Sequence, residues 1–259
     1  MAHHNARGSK PVRSYCTHFA HDENPISENG MWLNGRKDGI DWTDVITKNG
    51  VAYGDVTRMR EAERRVEQGN LAASTGAAPV GDYDDPAAVL SGEWGKNQHV
   101  TAKVFTRKQT DKYFQEVEIH LRSTMAPHRS TGYEVFWRCL KTEKAYAEIV
   151  RWNGKIGDFT SLKKLLGPQY GVKDGDVVEA TVEGNVIKGF INGVEVVSAT
   201  DDVFTSGAPG LGTHFISSGA IMTGFFAPPT FGSVACSAAA GATKESRAAS
   251  AILRNLLIS

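Results

Sequence analysis

Residues Val177–Val197 read VVEATVEGNVIKGFINGVEVV, an alternation of apolar and polar side chains broken at Gly184-Asn185 and again at Asn192-Gly193. Alternation with period 2 marks a strand that keeps one face in a core and the other in water. Asn and Gly tolerate the positive φ that a two-residue hairpin turn demands. The stretch therefore predicts three strands joined by two tight hairpins. The same short alternations, punctuated by glycine turns, extend from Tyr113 to Gly212. The fold class expected is all-β: a two-sheet antiparallel β-sandwich.

The flanking segments are less regular. Residues 1–18 read as a flexible start, and 19–54 are turn-rich, with Asn24-Pro25, Asn29-Gly30, Asn34-Gly35, Asp38-Gly39 and Asn49-Gly50. Trp32, Trp42 and Tyr53 in that segment are expected as packing anchors. From Asp55 to Gly69 the text changes to DVTRMREAERRVEQG, where Val56, Met59, Ala62 and Val66 fall at helical spacing and predict a short amphipathic helix over about 55–68. Tyr83 to Phe105 reads as two strands about a turn at Gly95 to Asn97. Beyond Gly212 the alternation fades, and Pro228-Pro229 excludes regular pairing at that point, with a last strand to one side of it. The chain ends in a small-residue linker followed by Ile252, Leu253, Leu256 and Leu257, expected on one side of a short helix that docks on this domain or on a partner. The organisation predicted is a flexible 1–18, a sandwich over 19–226, and a linker with a flexible or helical partner-docking tail over 227–259.

Composition narrows the functional classes. The 259 residues carry 29 basic and 29 acidic side chains, so overall charge gives no reason to expect nucleic acid. Cys16, Cys139 and Cys236 are widely spaced, which argues against a structural zinc site or a disulfide-dense scaffold and leaves room for one disulfide. Cys139, in an apolar strand, is expected as a small core residue. The N-terminal text has no apolar run of the signal-peptide kind and no segment has the length and apolarity of a membrane span. The expectation is cytoplasmic synthesis, with a virion or particle surface as a further destination.

The order FQEVEIHLRS (114–123), TGYEVFWRC (131–139), YAEIVRWNGKIGDFTSL (146–162), GDVVEATVEGNVIKGFINGVEVVSATD (175–201) and TSGAPGLG (205–212) resembles the concanavalin A-like lectin/glucanase superfamily, the laminin-G-like jelly rolls. Within it the chain looks most like uncharacterised microbial and phage modules. The resemblance implies the sandwich and leaves activity open, since the superfamily holds lectins, glycoside hydrolases, polysaccharide lyases and structural modules. The hydrolases' ExDxxE strand is absent; Glu116-Val117-Glu118-Ile119-His120 lacks the central aspartate and the spacing. Gln115 and His120 are not spaced as in the QxH strand of the alginate-lyase-like members. No catalytic residue is assigned.

Strand alternation supplies a candidate binding face. Val117, Ile119 and Leu121 share one side of their strand, and Glu116, Glu118, His120 and Arg122 the other. Tyr133, Val135, Trp137 and Cys139 are expected inward, with Glu134, Phe136 and Arg138 outward. Tyr146, Glu148, Val150 and Trp152 alternate with Ala147, Ile149 and Arg151. If these strands are neighbours, Glu118, His120, Glu134, Arg138, Glu148 and Trp152 converge on one concave, solvated sheet face, where the resemblance implies glycan binding. Carboxylates accepting from hydroxyls, an arginine donating and an aromatic ring stacking on a sugar suit that task. Opposite charges paired across strands to solvate a sheet face are the competing reading.

Asp82, Asp84 and Asp201 offer oxygen ligands from two loops for calcium, the one cofactor entertained, although turn-capping aspartates read more naturally. The functional expectation is a non-enzymatic module that binds glycans or sits in a particle-surface lattice, with carbohydrate or a protein lattice as partner, no nucleic acid or membrane, and homo-oligomeric assembly. The alternative is a polysaccharide hydrolase or lyase using carboxylates of the concave face.

Overall fold

The computed structural model describes residues 13–35, 42, 44–54, 86–106, 109, 111, 113–127, 129–155, 157–217, 230–232 and 256–258. The helix expected over 55–68, Asp82, Asp84, Ile252 and Leu253 lie outside them. In chain order the strands are β1 (Tyr15–Thr17), β2 (Trp32–Asn34), β3 (Val45–Lys48), β4 (Val51–Gly54), β5 (Ala87–Leu90), β6 (Gln98–Phe105), β7 (Tyr113–Ala126) and β8 (Arg129–Arg138). They continue as β9 (Tyr146–Gly154), β10 (Phe159–Leu166), β11 (Val177–Glu183), β12 (Val186–Ile191), β13 (Val194–Thr200), β14 (Ala208–Ser217), β15 (Thr230–Gly232) and β16 (Leu256–Ile258).

Two antiparallel sheets form the sandwich. One runs β13-β12-β11-β6-β15-β4-β3 with β1 and β16 attached, and the other runs β10-β9-β8-β7-β14-β5-β2. The stretch that decides the fold behaves as its alternation requires: Glu183 pairs with Val186 and Ile191 with Val194, each across a two-residue loop. Asn192 and Gly193 hold φ of 51° and 79°, the left-handed pair of a type I′ hairpin. The strands about Gly95 to Asn97 go to different sheets, β5 to the second and β6 to the first.

Val117, Ile119, Leu121, Tyr133, Val135, Trp137, Ala147 and Ile149 of the second sheet face Val100, Ala102, Val178, Ala180, Val182 and Ile187 of the first, all buried in one cluster. At roughly 25 cal/mol per Å² of apolar surface removed from water, this inter-sheet layer is the main favourable term for the fold. Cys139 belongs to it and is a free thiol, which burial pushes well above its usual pKa, whereas Cys16 is disulfide-bonded.

The structure departs from the expected faces in two ways. Arg122 leaves the outer face of β7: register shifts between Leu121 and Thr124, and Arg122 takes φ 49°. A bulge of this kind re-aims a side chain, and the guanidinium donates to the carbonyls of Lys96, Phe204 and Gly184 at 2.7–2.8 Å. The tail differs too. Leu256 and Leu257, expected on a helix, are in β16, which pairs with β1 and with β6. Pairing thus reaches beyond 19–226 on both sides, through β1, β15 and β16.

Candidate functional site

The register of the second sheet assembles the site. On its outer face, away from the inter-sheet core, β7 sets Glu116 opposite Arg138, Glu118 opposite Phe136 and His120 opposite Glu134 of β8. β9 then places Glu148 beside Phe136 and Trp152 beside Gly132, and β10 places Phe159 against Trp152 and Lys164 against Glu148. On the other flank β14 sets His214 opposite Glu116 and Gly212 opposite Glu118. All six expected residues, Glu118, His120, Glu134, Arg138, Glu148 and Trp152, therefore share one sheet face. Glu118, Glu134, Glu148 and Trp152 line a cavity of about 200 Å³; His120 and Arg138 share the face by register and are not among its lining residues.

This face is not the wet surface that alternation predicted. Glu118 is 2% exposed, Glu134 4%, Glu148 5% and Trp152 4%. The indole of Trp42 accounts for part of the cover: it meets Trp152 edge-on at 4.9 Å and stacks over His120 at 6.2 Å, within a second cluster that includes Phe136, Tyr146 and Val150. A sequence pattern shows which face a residue occupies but not what a distant segment lays over it.

Burying carboxylates is costly without partners, and the site provides them. Trp152 Nε1 donates to Glu134 Oε2, and the Tyr146 hydroxyl donates to Glu116. Ser161 Oγ donates to Glu148 Oε1 at 2.6 Å, and Lys164 Nζ reaches Glu148 Oε2 at 2.6 Å while lying 3.8 Å from the Tyr146 ring centre. Burial first, and then the Glu116 carboxylate, push the Tyr146 phenol far above its ordinary pKa, so it stays a neutral donor. At the cavity mouth Phe159, 47% exposed, leans on Trp152 with ring centres 5.2 Å apart. The result is an aromatic wall beside a floor of fixed hydrogen-bond acceptors.

Two groups of side chains bring three metal-ligating atoms within 4.8 Å of one another, Glu116/Glu118/His214 and Glu118/His120/Glu134. Asp201 belongs to neither. Its Oδ1 accepts from the Tyr133 hydroxyl at 2.7 Å and from the Val203 amide at 3.0 Å, and its Oδ2 pairs with Arg151. It is a loop clamp, the turn-capping role that competed with calcium.

Sequence reasoning left Glu116, Tyr146, Phe159, Lys164 and His214 out of the site. Tyr146 and Glu116 were already placed on the correct face by alternation, so register alone would have admitted them. His214 was out of reach because the pattern was read as ending at Gly212, whereas β14 continues to Ser217.

No protein-family model and no curated protein matches the chain. Among solved structures the chain is similar to a carbohydrate-binding module from Bacillus subtilis, with 13% identity over 74% of this chain and 96% of that one and a TM-score of 0.48. It is similar to a Bacillus licheniformis β-glucanase at 10% identity over 96% of each chain, TM-score 0.44. It is also similar to the CBM2 module of the evolved Dit of Lactobacillus casei BL23 phage J-1, at 10% identity over 95% of each chain, TM-score 0.46.

Proposed function

We propose that the outer face of the seven-stranded sheet is a carbohydrate-recognition site that binds without turnover. The observation that carries this reading is the half-exposed Phe159 ring, continued inward by Trp152, at the mouth of a cavity floored by Glu118, Glu134 and Glu148. Sugars offer an apolar C–H face to an aromatic ring and a rim of hydroxyl donors to carboxylates, and this wall and floor match both. Size points the same way. Pockets for drug-sized ligands run to roughly 300–1,000 Å³, so a space of about 200 Å³ suits one sugar ring of a longer chain. Among the described residues Glu116, Glu118, Glu134 and Glu148 outnumber the cations Arg138 and Lys164. Like-charge repulsion then favours neutral over uronic or sulfated saccharides.

A glycan array carrying neutral and acidic saccharides, with a polysaccharide-turnover screen on the same sample, tests the reading. Retention of neutral glycans with no new reducing ends or unsaturated products is the expected result. The alternative, a hydrolase or lyase, draws on the close approach of Glu118 and Glu134, whose ligating atoms lie within 4.8 Å. Product formation abolished by Glu118→Gln would establish it in place of simple binding.

A further inference from the structure

We infer that Glu118, His120 and Glu134 form a binding site for a divalent transition-metal ion of the zinc type. The inference stands without the carbohydrate reading. Three observations converge on it.

The first is the donor set. A strand places i and i+2 on one face, which brings Glu118 and His120 together, and antiparallel register puts Glu134 directly across from His120. Their ligating atoms lie within 4.8 Å of one another and all three residues are more than nine-tenths buried. Metal–ligand bonds of about 2.0–2.2 Å in a tetrahedral site require donors roughly 3.4 Å apart, so atoms already within 4.8 Å of one another need to close by no more than about 1.4 Å. One imidazole nitrogen with two carboxylates suits zinc, cobalt or manganese, whereas calcium takes 6–8 oxygen ligands.

The second is the close packing of two of the donor atoms against bare backbone. Gly212 of β14 lies beneath the group, and a Cβ there would stand 2.4 Å from Glu118 Oε2 and 2.9 Å from His120 Nε2. Two donor atoms thus meet over a backbone position that has no side chain. Any other residue at 212 would displace them.

The third is the surroundings. Trp152 Nε1 holds Glu134 through Oε2, and the Trp42 indole stacks on the His120 ring, so both ligands are oriented from outside as metal ligands commonly are. A divalent cation would also balance the carboxylate excess of the face. The second group, Glu116/Glu118/His214, is the poorer host, because His214 is less buried than any member of the first. Three protein donors leave a coordination position open to water or to a ligand hydroxyl.

The test is a Zn²⁺ and Co²⁺ titration of the EDTA-stripped full chain carrying His3→Ala and His4→Ala, which removes the adjacent N-terminal imidazoles. One equivalent is expected to bind, and the Co²⁺ form should show one hyperfine-shifted imidazole by NMR. His120→Gln should weaken binding at least 100-fold and Gly212→Ala at least tenfold, with near-UV circular dichroism reporting that each variant is folded. Absence of a bound ion, or Co²⁺ bound with no shifted imidazole, overturns the proposal even if every variant fails to fold. So does loss of binding in His214→Gln with retention in His120→Gln. Saccharide retention on the array is read separately, so failure of either reading leaves the other standing.

Discussion

At the scale of single residues, burial decides which side chains hold the molecule and which are spare. Arg122 is 2% exposed and its guanidinium satisfies three carbonyls from three different connections between strands. Arg122→Leu strands those acceptors, each worth about 1–3 kcal/mol when buried and unmet, so urea denaturation should show a loss of at least about 3 kcal/mol; a loss below about 1 kcal/mol would contradict the keystone role. Trp137, fully buried between the sheets, should cost about 3–5 kcal/mol as Trp137→Ala, while the half-exposed Phe159→Ala should change stability by no more than about 0.5 kcal/mol. Tyr133 makes a pH prediction. Burial, first, raises its pKa from 10.0 to about 12, with the Asp201 carboxylate that accepts its proton adding to the rise. A raised folded pKa means stability present in full below pH 10 and lost as pH climbs through 12. Stability should fall between those values, and Tyr133→Phe should flatten the fall; an identical slope in the variant would refute the assignment. The faces of Glu118, His120, Glu134 and Trp137 were legible because a strand's period of two admits no ambiguity once register is fixed. Arg122 was not, since a bulge breaks that period and nothing in LeuArgSer announces one.

At the scale of elements, the contrast between the sheets explains both the successes and the misses of the sequence. β6, β11 and β12 bury every second residue, so their alternation is plain, whereas β8 and β9 are buried on both faces. Charged residues on the outer side of β8 and β9 made those strands look solvated, whereas the cavity and the Trp42 cover bury them. The C-terminal strand was illegible for another reason. Ile252, Leu253, Leu256 and Leu257 satisfy helical spacing, yet a helix so short is marginal alone, while the edge of β6 offers unpaired backbone donors and acceptors. β15 takes one end of that edge and β16 the other, through Leu257 opposite Thr101 and Ile258 opposite Val100. Deleting residues 256–259 should lower the thermal midpoint by roughly 2–8 °C, the shift expected for about 1–2 kcal/mol in a chain of this size. Calorimetry showing an unchanged midpoint would mean that β16 contributes nothing to the first sheet.

At the scale of the whole molecule, the inter-sheet layer is built from aliphatic side chains and the aromatic anchors Phe19, Trp32, Tyr133 and Trp137, and the polar residues it excludes from the second sheet are gathered on one outer face. The sandwich followed from alternation and turn chemistry because both are local. The character of the site did not, because it depends on Trp42 and on Phe159 and Lys164 of β10 arriving from segments far apart in the chain, and on the close approach of Glu118 and His120 to Gly212. The sugar recognition proposed for this face runs through the Phe159–Trp152 wall. It is tested most directly by calorimetric titration of a saccharide retained on the array into the native chain and into Phe159→Ala. Saturable binding is expected, weakened about five- to tenfold by Phe159→Ala, the worth of roughly 1–1.4 kcal/mol of ring stacking, with the melting temperature held. No retained saccharide, or equal affinity in the two proteins, would contradict it.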